Sequence, residues 1–145
     1  MEKQDWLLLL LGFKTPQGTP KLDPVRIQKG MFLMAEEGGL SAGETYSFEP
    51  LHYGPYSREL RGDLDSLVAA NLVNTNQVPG YTWNEYRPTS RGLERARELL
   101  KNAPTPQVHC LFDIKVQITG DSFVDLLRRV YKKYPKYAEN SVFKG

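Results

Sequence analysis

One stretch constrains the fold of this chain more than any other. Phe48-Glu49-Pro50-Leu51-His52-Tyr53-Gly54-Pro55-Tyr56-Ser57 runs directly into Arg58-Glu59-Leu60-Arg61-Gly62-Asp63-Leu64. Gly54 admits backbone angles that other residues avoid, and Pro55 fixes φ. Tyr53-Gly54-Pro55-Tyr56 therefore reads as a stiff turn between aromatics, either structural or the edge of a pocket. Ser57 can cap a following helix whose apolar positions Leu60, Leu64, Leu67, Val68 and Leu72 keep the helical period.

The flanking sequence completes the outline. Residues 4–12 predict a short, almost wholly apolar helix, which is normally buried on most sides. A Pro- and Gly-containing loop over 14–20 leads to Asp23, which caps a second helix with Pro24 at its first position. Ile27, Met31, Phe32 and Met34 form its apolar stripe, and Gly38-Gly39 ends it. A loop with a short strand near Tyr46-Ser47-Phe48 is expected over 40–50. The Pro79-Gly80 loop between Val73 and Trp83 predicts a hairpin, and Arg87-Pro88-Thr89-Ser90 leads into a helix over 90–102 with Leu93, Ala96, Leu99 and Leu100 inward. Ala103-Pro104-Thr105-Pro106 reads as a linker. Val108, Leu111, Ile114 and Ile118 favour helix over 108–119, although Val116 and Ile118 also alternate as in a strand. Gly120-Asp121-Ser122 starts a last helix to about Tyr134, with Phe123, Leu126, Leu127 and Val130 inward. The order predicts a mainly α protein with a small β-hairpin: a winged helix-turn-helix body over 1–102 and a C-terminal helical extension over 103–145 packed on it as one compact domain.

Composition narrows the function classes. The chain has 145 residues, 40% of them hydrophobic and 25% charged, within the ordinary globular range. Its formal net charge of +2 does not by itself advertise nucleic-acid binding. The excess is local, with eight basic and four acidic residues in 101–145. Cys110 stands alone, so no internal disulfide and no metal-ligand spacing is expected. The run Trp6-Leu7-Leu8-Leu9-Leu10-Leu11 is too short for a signal peptide or a membrane span, which predicts a cytoplasmic protein with no membrane partner. His52 and His109 lack acidic neighbours, and Asp23, Glu36, Glu37 and Glu44 are scattered rather than paired. No catalytic residue, metal or cofactor is expected, and the chain does not read as an enzyme.

Contact candidates fall in three groups. Ser57, Arg58 and Arg61 stand at the start of the helix that would enter a major groove in a winged helix, where arginine meets guanine or phosphate. Glu59, Asp63 and Asp65 on the same helix oppose that role and suit a solvated or protein-facing surface. Arg87, Arg91 and Arg95, spaced by four, suggest a basic stripe beside the wing, or pairs with Glu94 and Glu98. The hairpin itself carries no Lys or Arg. Arg128, Arg129, Lys132, Lys133 and Lys136 alternate with Tyr131, Tyr134 and Tyr137, a pattern that fits base stacking, a protein interface, or tyrosines anchoring a terminal helix.

Two blocks carry a family resemblance. Arg26-Ile27-Gln28-Lys29-Gly30-Met31-Phe32-Leu33-Met34, with Tyr53-Gly54-Pro55-Tyr56-Ser57 after it, is the first. Leu126-Leu127, Val130-Tyr131 and Lys133-Tyr134-Pro135-Lys136-Tyr137-Ala138 make the second. Together, over roughly residues 20–141, they resemble the YwgA-type prokaryotic proteins and are more distantly similar to Panacea or SocA-like antitoxin domains. The resemblance implies a winged-helix-like body and an adaptor or toxin-neutralising role, and it carries over no catalytic residues. The chain departs from the usual pattern at Arg87-Pro88-Thr89, and at Gly30, which makes room for a close neighbour. Two functions are thus expected. The first is a winged-helix protein binding duplex DNA in transcriptional, phage or defence regulation, with a homodimer built on the apolar helix 4–12. The alternative is a protein-interaction module such as an antitoxin or accessory subunit.

Overall fold

The computed structural model describes residues 1–16 and 21–143. Six α-helices are found among these: α1 (Lys3–Gly12), α2 (Pro24–Glu37), α3 (Arg58–Ala69), α4 (Ser90–Asn102), α5 (Thr105–Gly120) and α6 (Phe123–Lys133). Two antiparallel two-stranded sheets bracket α3 in sequence. Strand β1 (Glu49–Leu51) pairs with β2 (Gly54–Tyr56), and β3 (Val73–Gln77) with β4 (Asn84–Pro88). Leu22 and Tyr86 also exchange backbone hydrogen bonds at 2.9 Å, so the segment entering α2 is tied to β4.

Helix α1 is the axis of the core. Trp6 and Leu7 to Leu11 are all buried, so it presents no apolar face outward, and α2, α3, α4 and α5 pack around it. The expectation that this helix serves a homodimer is therefore corrected: its leucines are consumed inside the fold. Helix α5 lies against α2, and the two meet α1 at Gly30. A Cβ there would stand 2.9 Å from Ile118 Cδ1 and 3.0 Å from Leu10 Cδ2, which is the close neighbour the glycine anticipates. Phe32 of α2 collects Phe48, Tyr134 and Tyr137 edge-on at 4.7–5.4 Å, joining the end of the chain to its middle.

Caps place most boundaries. Asp23 accepts from the Arg26 N–H at 2.9 Å with Pro24 behind it, and Thr89 accepts from the Gly92 N–H at 3.0 Å. Helix α2 ends at Gly38, and Gly39 at φ +67° supplies the left-handed step. Helix covers 108–119, as the i, i+3, i+4 spacing indicates.

Several expectations are corrected. The strand expected near Tyr46 lies at Glu49–Leu51. The bend expected at Tyr53-Gly54-Pro55-Tyr56 falls two residues earlier, at Leu51 to Gly54, and Gly54, Pro55 and Tyr56 are themselves strand. Thr105 and Pro106 belong to α5, because proline in a first helical turn sacrifices no hydrogen bond; only Ala103-Pro104 connects α4 to α5. Leu100 and Phe123 are exposed rather than inward, and Leu72 lies beyond the end of α3. Of the loop expected over 14–20, positions 17–20 lie outside the described residues.

Candidate functional site

The β2–α3 junction is built from the backbone outward. Gln28 on α2 donates to the Ser57 carbonyl at 3.0 Å and accepts from the Ser57 N–H at 2.8 Å. The Ser57 hydroxyl in turn accepts from the Leu60 N–H at 3.2 Å and caps α3. Ser57 is buried, which corrects its assignment as a contact residue: its hydroxyl is directed into the cap. Arg58 and Arg61 are both exposed, and each meets a carboxylate, Glu49 and Asp65 respectively, at 3.4 Å. Lys3 binds Glu59 at 2.9 Å, and the Tyr46 hydroxyl donates to Asp63 at 2.7 Å. Burial, and then that hydrogen bond, push the Tyr46 phenol well above its ordinary range.

The β3–β4 hairpin ends in aromatics. Its tip closes with the Val78 N–H donating to the Trp83 carbonyl at 3.3 Å. Tyr81 and Trp83 stack with ring centroids 4.4 Å apart, yet remain 53% and 43% exposed. The stripe inferred from Arg87, Arg91 and Arg95 does not run along one element. Arg87 sits on β4 opposite Asn74, and only Arg91 and Arg95 belong to α4, where Arg95 approaches Asp5 at 3.8 Å. The Arg87 and Arg91 side chains form no hydrogen bond or ion pair among the described residues.

On α6 and just after it the tyrosines act as anchors. Tyr131 donates to the Ser141 hydroxyl, and Tyr134 to Glu37 at 2.7 Å. Burial and the Glu37 carboxylate together hold the Tyr134 phenol above its ordinary range. Arg129 grips Asp121 through two hydrogen bonds of 3.0 Å, and Lys133 binds Glu37 at 2.9 Å. Arg128 and Lys132 lie on the exposed side of the helix. The basic segment thus fastens the end of the chain as well as presenting charge.

A cavity of about 280 Å³ opens beneath the β1–β2 turn, between Val25 and Lys29 of α2 and Leu51, His52, Tyr53 and Tyr56. Lys29 is only 2% exposed, and its ammonium donates to the Pro55 carbonyl at 3.0 Å. Burial pulls its pKa down from 10.5 to about 7, partly opposed by Asp23. Gly54, at φ +90°, lets the chain pass where a Cβ would lie 2.9 Å from Tyr131 and 3.4 Å from the Lys29 stem. Lys29, Tyr81 and Trp83 were not among the residues expected to form a site. The signal for the first is its place between Val25 and Leu33 at i−4 and i+4, on one apolar line of α2. No family model matches the chain, and a search of the curated proteins finds no match. Its own side chains must therefore carry the functional reading.

Proposed function

We propose that the chain is a winged-helix protein-interaction module, of the antitoxin or accessory-subunit kind, which meets its partner with α3 and the tip of the β3–β4 hairpin. The order α1, paired segment at Leu22, α2, α3, hairpin, α4 supports the winged-helix reading, because the Leu22–Tyr86 rung ties the first extended segment to the far strand of the hairpin. The observation that carries the functional reading is the stacked, half-exposed pair Tyr81 and Trp83 on a hairpin devoid of charged residues from Val73 to Asn84. Rigid aromatics of this kind are what protein interfaces use as anchors. A wing that grips phosphate needs cations instead. Helix α3 agrees: two arginines stand against Glu59, Asp63 and Asp65. Exposed pairs of 3.4 Å are weak, so the argument is the sign of the whole face rather than any one bridge.

Duplex DNA remains the second reading, supported by Arg87 and Arg91, which have no internal partner. A salt series on random duplex DNA from about 50 to 200 mM separates the two. The interaction module shows no salt-sensitive affinity, and co-purification from its own host yields one defined protein that Tyr81→Ala with Trp83→Ala releases. A steep salt slope that Arg58→Glu with Arg61→Glu flattens would overturn this reading in favour of DNA.

A further inference from the structure

We propose that a second copy of this chain pairs with the free edge of β3, antiparallel about a two-fold axis at Asn76, and so joins two hairpins into one sheet. This goes beyond the partner surface above, because it uses the backbone edge of β3 rather than α3 or the side chains of Tyr81 and Trp83. The phase of the hydrogen bonds identifies the free groups. In an antiparallel ladder a residue directs both backbone groups to one side, and its neighbours direct theirs to the other. Tyr86 exchanges both of its groups with Leu22 at 2.9 Å, so Glu85 and Arg87 are the residues of β4 that face β3. Their partners there are Asn76 and Asn74. The Val78 N–H, donating to the Trp83 carbonyl at 3.3 Å, keeps the same phase. Thr75 and Gln77 therefore direct N–H and C=O away from β4. Asn74 to Gln77 are all exposed, and the outward backbone groups of Thr75 and Gln77 have no partner among the described residues.

Sheets guard such an edge with lysine, proline, a bulge or a covering segment. Here the ladder runs from Val73 to Gln77 without a bulge, β3 contains no proline, and no residue from Val73 to Asn84 is charged. The same features make the edge its own complement. With the axis at Asn76, Thr75 of each copy lies opposite Gln77 of the other, and each such pair exchanges both of its backbone bonds. A register centred on Thr75 would instead need the backbone of Val73, which is only 1% exposed. The two Asn76 side chains meet at the axis, in a pair not bonded through the backbone, where side chains come closest. A primary amide both donates and accepts, so each satisfies the other. No like charges stand opposite one another. Because β3 is short, the interface belongs to the small, reversible class.

The test uses the whole protein. Sedimentation equilibrium up to about 1 mM is expected to show a monomer–dimer equilibrium with a dissociation constant of about 100 μM. Over the same range, hydrogen exchange should slow several-fold at the Thr75 and Gln77 amides, while Asn74 and Asn76, already bonded to β4, keep their rates. Thr75→Lys with Gln77→Lys sets like charges opposite each other at both pairs and should weaken the dimer about tenfold. Thr75→Glu with Gln77→Lys sets opposite charges at the same places and should preserve it. Should either double variant fail to fold, the exchange rates of Thr75 and Gln77 in the unaltered protein still decide the matter. A monomer at about 1 mM leaves the edge to a strand of some other protein and overturns the proposal. So does a dimer in which those two amides keep their rates, or equal weakening by both double variants.

Discussion

Gly30 and Gly92 look equivalent as helical glycines, yet their surroundings differ in kind. A Cβ on Gly30 would press on the ends of two flexible side chains, Ile118 and Leu10. A Cβ on Gly92 would lie 2.0 Å from the Leu72 carbonyl oxygen, a backbone atom that already accepts from the Thr89 N–H at 3.0 Å. Alanine regains about 1 kcal/mol of helix propensity at either position. At Gly30 this offsets most of the overpacking, so Gly30→Ala should change unfolding free energy by less than about 1 kcal/mol. At Gly92 the main chain has to move, and Gly92→Ala should destabilise by about 2 kcal/mol or more. Urea denaturation of the two variants checks the ranking, and an equal cost would contradict this geometry.

At the scale of elements, α2 organises what surrounds it. Its Gln28 holds the β2–α3 junction through two hydrogen bonds to Ser57, its Lys29 holds β2, and its Phe32 receives the tyrosines that follow α6. Removing the Gln28 amide strands the Ser57 N–H in a buried place, whereas the Ser57 carbonyl keeps the Arg61 N–H at 3.3 Å. A buried donor without a partner costs about 1–3 kcal/mol. Gln28→Leu should therefore lose about 2 kcal/mol. Amide exchange should accelerate first at Ser57 and through the opening turn of α3, while α5 stays protected. Uniform acceleration across the chain would show that Gln28 supports the core at large rather than this junction. The caps of α2 and α3 were readable from Asp23 and Ser57, and those of α4 and α6 fall at Thr89 and Ser122 within the Arg87-Pro88-Thr89-Ser90 and Gly120-Asp121-Ser122 stretches, because a cap is a local bond between near neighbours. The brace by Gln28 spans 29 residues and leaves no local trace.

Across the whole molecule, two buried lysines set a pH dependence. Lys115 is fully buried and donates to the Leu11 carbonyl at 2.9 Å, completing the end of α1. Burial lowers the pKa of Lys29 and of Lys115 alike, from 10.5 to about 7. Between about pH 7 and 10.5 the unfolded chain holds protons that the folded chain has released, so stability rises with pH in that window. Below about 7 both states are protonated and this contribution is flat. Each lysine adds at most about 1.4 kcal/mol per pH unit. Tyr46 acts the other way near pH 10, since its raised pKa makes folding hold a proton the unfolded chain loses. Denaturation midpoints should therefore climb from pH 7 to about 9.5 and then level. Lys115→Met should remove about half of the climb, and a flat profile over 7 to 9.5 would contradict the burial of both amines as charged-state penalties.

What the amino-acid sequence determined by itself is the list of elements, wherever the information is local: helical period in α2, α3 and α5, caps at polar residues, and turn residues between β3 and β4. It also marked Gly30 as a point of close approach. What only the tertiary structure decided is which surfaces are free. The leucines of α1, which the sequence offers to a second copy, are used up inside the fold, and the lysine at position 29 is buried, while Leu100 and Phe123 look internal and are exposed. The arginines of α3 look like a cationic edge until Glu49, from another element, stands opposite Arg58. The physical reason is that burial and charge pairing depend on contacts between residues far apart in the chain, and no periodicity along one segment records what another segment will bring against it.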